Sequence, residues 1–168
     1  MSASQGPVAS ELVNSEELLR LSLSVIVGTR DAANRPHLVR GFGFRLHPSG
    51  LAANGITVFL DLTGAAQVVA DVRDNGHVAV VFSRPSTHKS AQFKSSAARI
   101  EPPQPRDRAL VLDYLERITA ELCSLGYPDT TVRGMFNHRP DRLINLTFVP
   151  DQVFDQTPGA MAGQPISG

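Results

Sequence analysis

The sequence has one cysteine, no tryptophan and few aromatic residues, which make up 6% of its 168 residues. A lone cysteine cannot close an internal disulfide, and Cys123 lies in an apolar helical stretch outside any CxxC motif, so we expect a core thiol. No apolar run approaches the roughly 20 residues of a membrane-spanning helix. The first twenty residues lack the basic and apolar regions of a signal peptide. These absences predict a cytoplasmic protein with no membrane partner.

Neither charge is in excess, because 16 Lys and Arg residues balance 16 Asp and Glu residues. The chain therefore has no basic surface to collect nucleic acid, and we expect no such partner. Hydrophobic residues at 42% and charged residues at 19% are typical of a packed core. The length suits one domain over residues 1–168, with a loose arm at 1–14 and a Gly/Pro-rich tail at 155–168.

The common catalytic motifs are missing too. Gly41-Phe-Gly43 supplies only half of GxGxxG, and no GxxxxGK[ST], GxSxG or HExxH occurs. We interpret Gly41 and Gly43 as strand positions that allow a close approach or a barrel bend. The histidines match no metal-site spacing, so we expect surface or turn histidines and no metal. They are His37, His47, His77, His88 and His138.

Runs of β-branched and aromatic residues between turn signals predict most of the secondary structure. The predicted strands are 24–30, 36–46, 56–60, 77–83, 91–100 and a last strand through 143–149 and 152–154, bent at Pro150. Short connections between most of them favour an antiparallel barrel with flanking helices over a parallel nucleotide-binding sheet. The expected class is α+β, mostly β.

Three helices are predicted. One begins near Asn14, and a second covers 65–74 with Asp61 or Thr63 as its cap. Its apolar positions are Ala66, Val69, Ala70 and Val72. The longest helix covers 107–125, with an apolar seam at Leu112, Leu115, Ile118, Leu122 and Leu125.

The stretch SRPSTHKSAQFK, from Ser83 to Lys94, holds the densest polar connection of the chain. Alternation along its strand places Gln92 and Lys94 on one face and Ala91 and Phe93 on the other. A phosphate needs cations and N–H donors, and a flavin ring needs donors near its pyrimidine edge. The residues whose chemistry suits both a phosphate and a flavin ring are Lys89, Ser90, Gln92 and Lys94. A solvated edge strand whose lysines prevent edge-to-edge pairing would give the same pattern.

The order of segments is itself a signature. A strand is followed by PHLVRGFGFRL, NGITVFL, a helix ending in RDNGHVAVVFS, and RPSTHKSAQFK. This order, over about residues 15 to 100, resembles the pyridoxamine 5'-phosphate oxidase-related flavin-binding split barrels. The segment FVPDQVFDQTPGAMAGQP is similar to the C-terminal TPG..AG segment of some uncharacterised members. The resemblance implies a split antiparallel β-barrel with flanking helices.

The same resemblance implies a homodimer with FMN in a groove between two barrels, contacted by both chains. Lys89 and Ser90 stand where the oxidases have an Arg-Gln pair against the flavin, and Gln92 and Lys94 continue that strand. Arg40 is a further candidate for the phosphate or the ring edge. The expected cofactor-binding residues are therefore Arg40, Thr87, His88, Lys89, Ser90, Gln92 and Lys94.

The chain also departs from the family. Ala66, Gln67 and Val68 stand where the oxidases carry a Ser-Arg-Lys that holds the FMN phosphate, and the C-terminal Arg-x-His signature for the substrate is absent. Oxidation of pyridoxamine phosphate is therefore not expected. The leading hypothesis is an FMN-dependent oxidoreductase that transfers hydride to or from a small unidentified substrate, with no catalytic acid or base assigned.

Two alternatives stay open. The first is a dimeric binding or sensing module for another flavin, a deazaflavin or haem, and the second is a purely structural dimer. The tail after Asp155 is either a flexible terminus or a segment that closes over the partner's groove.

Overall fold

The computed structural model describes residues 21–47, 55–137 and 140–166. The predicted arm at 1–14 and the helix near Asn14 lie outside them. The strands are β1 Ser24–Arg30, β2 Pro36–Arg40, β3 Phe44–Leu46, β4 Ile56–Asp61, β5 Val78–Ser83, β6 Ser90–Ser95, β7 Arg99–Glu101, β8 Leu143–Phe148 and β9 Gln152–Asp155. The helices are α1 Leu62–Asn75, α2 Asp107–Ser124 and α3 Asp129–Met135.

The strands form two antiparallel sheets. One has five strands in the order β2-β1-β5-β6-β9, and the other has four in the order β3-β4-β8-β7. The predicted class, α+β and mostly β, is confirmed. Within the described residues no helix is long and apolar enough to cross a membrane.

The chain passes from the first sheet to the second at Gly41 to Gly43. The Gly41 N–H donates to the Val25 carbonyl of β1 at 2.9 Å, and the Phe42 N–H donates to the Phe59 carbonyl of β4 at 2.8 Å. Consecutive residues thus bond to different sheets. The prediction of one strand over 36–46 was wrong, because the backbone turns at Gly43, whose φ is +113°. The alternative interpretation of these glycines as a bend is confirmed.

Two more segments cross between the sheets. The predicted strand over 91–100 is divided into β6 and β7, which belong to different sheets. Between them, Asp151 Oδ2 accepts hydrogen bonds from the Ser96 N–H and Oγ at 2.9 and 3.0 Å. The predicted last strand is likewise divided around Pro150 into β8 and β9. Periodicity cannot reveal these crossings because both halves keep strand-like residues.

The core lies between the sheets. In β1 the side chains alternate between partly buried and buried, with Val25 and Val27 fully inside. Phe82 of β5 meets Phe44 of the other sheet with ring centroids 4.8 Å apart, and Phe93 of β6 at 5.5 Å. Edge-to-face pairs of this kind add to the energy of apolar burial, so they help to hold the sheets together.

Helix α1 begins as predicted. Asp61 is its N-cap and accepts a hydrogen bond from the Thr63 N–H at 2.8 Å, and Gly76 ends it with a φ of +70°. The predicted apolar face was partly wrong, since Ala66 and Ala70 are exposed. The helix instead buries Ala65, Val68, Val69, Asp71 and Val72.

Helix α2 is attached to the four-stranded sheet by a buried ion pair. Nε of Arg45, on β3, donates to Asp107 Oδ1 at 3.1 Å, and Nδ2 of Asn145, on β8, donates to Asp107 Oδ2 at 2.7 Å. The predicted seam was partly right, because Ile118 is buried and Leu115 and Leu122 are partly buried against the core, whereas Leu112 and Leu125 are 60% and 46% exposed. The buried residues of α2 are Asp107, Val111, Tyr114, Ile118 and Thr119.

Replacing Gly43 by Ala tests the first crossing. A Cβ at Gly43 would lie 3.0 Å from the Tyr114 Cβ, and the positive φ disfavours any side chain. We expect Gly43→Ala to lower the free energy of unfolding by about 1 to 3 kcal/mol, measured by urea denaturation.

Gly134→Ala is the matched control. Gly134 lies in α3, and nothing lies within 4 Å of the added Cβ. Because alanine favours a helix, we expect this change to be neutral or stabilising by up to about 1 kcal/mol. Equal destabilisation by both changes would mean that the crossing tolerates a side chain at residue 43.

Candidate functional site

The outer face of the five-stranded sheet carries a row of aligned residues, one from each strand. The row runs across the sheet through Arg40, Ile26, Val81, Gln92 and Phe154. We call it the central row. All five side chains are partly exposed in the single chain. The row is apolar in its middle and polar at Arg40 and Gln92, so this face can hold a ligand or a second protein chain.

A groove crosses the same face, two residues along each strand from the central row. Its floor row runs through Leu38, Gly28, Ala79, Lys94 and Gln152. We call it the sheet groove. Its volume is about 600 Å³, within the range of small-molecule sites. The groove exists because two adjacent positions of this row, Gly28 and Ala79, carry its smallest side chains.

Lys94 forms the cationic part of the sheet groove. Its ammonium lies 4.6 Å from the centre of the Phe154 ring. Arg30 and His77 also line the groove, as does Asp151, whose carboxylate already accepts two hydrogen bonds from Ser96. Along this lining, Lys94 and Arg30 therefore supply two positive charges, and Asp151 supplies one negative charge.

Arg40 lines a different cleft. Its guanidinium lies 4.9 Å from the centre of the Phe136 ring, and its Nη1 donates to Ser24 Oγ at 3.4 Å. The cleft has a volume of about 300 Å³ and includes Asn137 and the first turn of α1. Among the described residues no carboxylate pairs with Arg40. The guanidinium therefore keeps donors for an anion, although the same cleft also contains the carboxylate of Asp61.

Three predicted residues lie in the turn between β5 and β6 and are exposed there. They are Thr87, His88 and Lys89. The turn is closed by backbone hydrogen bonds, including one from Arg84 N–H to the Lys89 carbonyl at 2.9 Å, and His88 has a φ of +57°. Arg84 Nε donates to Glu121 of α2 at 3.1 Å. The turn is thus fixed against α2, and its residues do not line the sheet groove.

The C-terminal segment forms hydrogen bonds with both backbone groups of Ser90. The Ser90 N–H donates to Thr157 Oγ1 at 3.1 Å, and its carbonyl accepts from the Gln156 N–H at 2.9 Å. Further along, Pro165 forms an isolated bridge with Phe154. Up to residue 166 the tail therefore folds against its own sheet. The side chain of Ser90 is engaged as well, because its Oγ lies 2.7 Å from Ser83 Oγ and 2.9 Å from the His88 carbonyl oxygen.

A buried carboxylate beside β2 escaped sequence reasoning. Asp71 of α1 accepts hydrogen bonds from Thr29 Oγ1 at 2.6 Å and Gln67 Nε2 at 3.2 Å, and it lies 2.8 Å from His37 Nδ1. The sequence did contain a signal for this buried carboxylate, because Asp71 lies on the same helix face as the apolar Val68 and Val72. A charged residue at a core position of a helix needs such partners.

The structure brings only some predicted site residues together. Ser90, Gln92 and Lys94 share the outer face, as the alternation predicted. Arg40 lies on the same face with β1 and β5 between it and Gln92. In α1, Ala66 and Gln67 are exposed and Val68 is buried, so these positions supply no cation. Within the described residues no group of three or more His, Cys, Asp or Glu is placed to hold a metal ion.

The fold resembles several solved structures. It matches a protein of the pyridoxinephosphate oxidase family related to general stress protein 26, from Clostridium acetobutylicum, with a TM-score of 0.50, 16% identity and 89% of each chain covered. It matches an F420 reductase with a TM-score of 0.52 and 14% identity, covering 82% of this chain and 94% of that one. A conserved hypothetical protein from Mycobacterium tuberculosis matches with a TM-score of 0.51 and 16% identity, covering 92% and 89%.

These matches confirm the predicted resemblance at the level of the fold. No protein-family model matches the sequence, and no curated protein matches it either. At such identities a shared fold does not fix the activity, since one fold supports many functions. Evidence on function therefore comes from the outer face and its two clefts.

The Asp71 cluster predicts acid sensitivity. Burial raises the pKa of Asp71, but the hydrogen bonds from Thr29, Gln67 and His37 outweigh burial and hold the pKa below its ordinary value of 3.8. Because the folded pKa is the lower one, the stabilisation is present above about pH 4 and is lost as the pH falls through the folded pKa.

We expect Asp71→Asn to lower the free energy of unfolding at neutral pH and to flatten its decline between about pH 5 and pH 2, measured by urea denaturation across that range. Asp74→Asn is the control, since Asp74 lies exposed on the same helix. An unchanged acid slope in Asp71→Asn would contradict this role.

Proposed function

We propose that the chain is a cytoplasmic, homodimeric flavoprotein of the split-barrel type that binds FMN and acts as an oxidoreductase on a small substrate. The shared fold supports this proposal, because the proteins with this fold include one of the pyridoxinephosphate oxidase family and an F420 reductase. The observation that carries it is the central row, in which the partly exposed apolar residues Ile26 and Val81 lie between the donors Arg40 and Gln92.

The residues of this face fit the parts of a flavin. Ile26 and Val81 offer a flat apolar surface to an aromatic ring, and Gln92 offers an amide donor to a polar ring edge. The phosphate needs a cation, which Arg40 provides without a carboxylate partner among the described residues. A guanidinium also binds phosphate through paired hydrogen bonds, which suits the oxygen atoms of a phosphate ester.

The spacing of these groups favours a dimer. Arg40 and Gln92 are separated by three strand spacings, or about 14 Å. A second copy seated against the central row would bring its own Gln92 toward the first copy's Arg40 and cover Ile26 and Val81. The cofactor would then lie between the chains, with contacts from both.

When bound, FMN supplies the hydride-transfer chemistry. The protein's part is to hold the phosphate at Arg40, to orient the ring edge at Gln92, and to exclude water by covering the apolar middle of the row. Of the other predicted residues, Lys94 lies in the neighbouring groove and the side chain of Ser90 lies beside Gln92. Thr87, His88 and Lys89 stay predictions for binding of the cofactor.

A second function has an observation of its own. The exposed Ala66 and Gln67 on α1 leave the phosphate without the cations that the oxidases have there. On this basis the barrel would be a binding or sensing module for another flavin, a deazaflavin or haem. Such a module would bind its ligand without turnover.

FMN binding tests the proposal directly. We expect FMN added to the purified protein to bind near micromolar concentration, measured by quenching of flavin fluorescence and by the visible spectrum. Arg40→Gln should weaken binding about 10-fold or more, since it removes a charge-assisted hydrogen bond to phosphate, and Gln92→Leu should weaken it about 5-fold.

Arg108→Gln is the control, because Arg108 is exposed on α2, away from the outer face, and the change removes the same charge. Absence of FMN binding to the unchanged protein would rule out the flavoprotein proposal. If F420 or haem raised the Tm while FMN did not, the binding module would be the better description.

A further inference from the structure

We propose that the sheet groove is a second ligand site, for a small organic anion with a flat apolar body. It does not depend on the flavin, because its residues are Leu38, Gly28, Ala79 and Lys94 rather than Arg40 and Gln92. The shape of the groove and the charges along it support this site.

The shape is set by two small residues at neighbouring positions of β1 and β5. Gly28 and Ala79 are paired in register, and both are flanked by larger side chains on the adjacent strands. A Cβ added at Gly28 would lie 3.2 Å from Leu38 Cδ2 and 3.6 Å from the Ala79 carbonyl oxygen. Leu38 therefore leans over Gly28 and forms one apolar wall, although it is 74% exposed.

The two ends of the groove differ in character. Leu38 on β2 is apolar, and Lys94 on β6 is cationic, with β1 and β5 between them. Three strand spacings put these residues about 14 Å apart. A ligand that matches this groove has its apolar rings over Gly28 and Ala79 and its negative group at Lys94.

The charges select an anion over a cation. Lys94 has no ion pair among the described residues, and its ammonium lies over the Phe154 ring. Arg30, which also lines the groove, has no ion pair in the described part of the chain and donates to the Asp31 carbonyl oxygen at 3.4 Å. The one carboxylate of the lining, Asp151, is held by Ser96. Lys94 and Arg30 therefore give the lining two positive charges against the one negative charge of Asp151, and a carboxylate or sulfonate at this end of the groove would meet the free donors of Lys94.

The test uses 2-naphthoate, which has a flat apolar body and one carboxylate, and 2-naphthamide as its neutral isostere. We expect 2-naphthoate to bind at submillimolar concentration by isothermal titration calorimetry, and 2-naphthamide at least 10-fold more weakly. Lys94→Gln should weaken naphthoate binding at least 5-fold. Ala79→Leu, which raises the groove floor, should abolish it.

Arg108→Gln again controls for loss of one exposed positive charge and should leave naphthoate binding unchanged. The circular dichroism and Tm of each variant show whether it folds, and Ala79→Ser is the small-residue control for Ala79→Leu. The proposal is overturned if naphthoate does not bind at millimolar concentration, or if it binds equally to folded Ala79→Leu and Lys94→Gln proteins. Displacement of naphthoate by FMN would also overturn it, because the groove would then belong to the cofactor site, whereas failure of FMN binding alone leaves it standing.

Discussion

The structure depends on a backbone that changes sheets between one residue and the next. At Gly41 and Phe42 the two N–H groups bond to strands of different sheets, and Gly43 completes the turn under Tyr114. This crossing sets Arg40 on an edge strand of one sheet and Arg45, five residues later, on an edge strand of the other. The outer face with its grooves and the ion pair that anchors α2 therefore both follow from a bend that only glycine adopts without strain.

Much of the fold could be predicted from local patterns. The strand β1, the cap of α1 at Asp61, the length of α2 and the alternation along β6 are all properties of neighbouring residues, and the structure agrees with them. The crossings after Arg40 and Ser95 could not be predicted, because strand propensity is the same on both sides of a change of sheet. The exposed Leu112 shows the same limit, since apolar spacing predicted it in the seam of α2, whereas the neighbouring Val111 and Tyr114 are the buried residues.

The candidate site was predicted only in part for a related reason. A strand pattern shows which side chains share a face, and it placed Gln92 and Lys94 together. It cannot show which residues of other strands lie beside them, so the groove over Gly28 and Ala79 emerges only from the register of five strands. Similarly, the sequence suggests that Ser90 can bind a ligand. Its backbone groups, however, form hydrogen bonds with residues more than sixty positions later in the chain.

The bridge between Phe154 and Pro165 bears on how the molecule behaves at high concentration. An open sheet edge offers a template on which another chain can add a strand, and this is a common start of aggregation. Here the outer edge of β9 is covered by the returning tail, and the bridging residue is a proline, which has no N–H to extend a ladder. The opposite edge strand, β2, also begins with a proline, Pro36. Growth of the five-stranded sheet by strand addition is thus hindered at both of its edges.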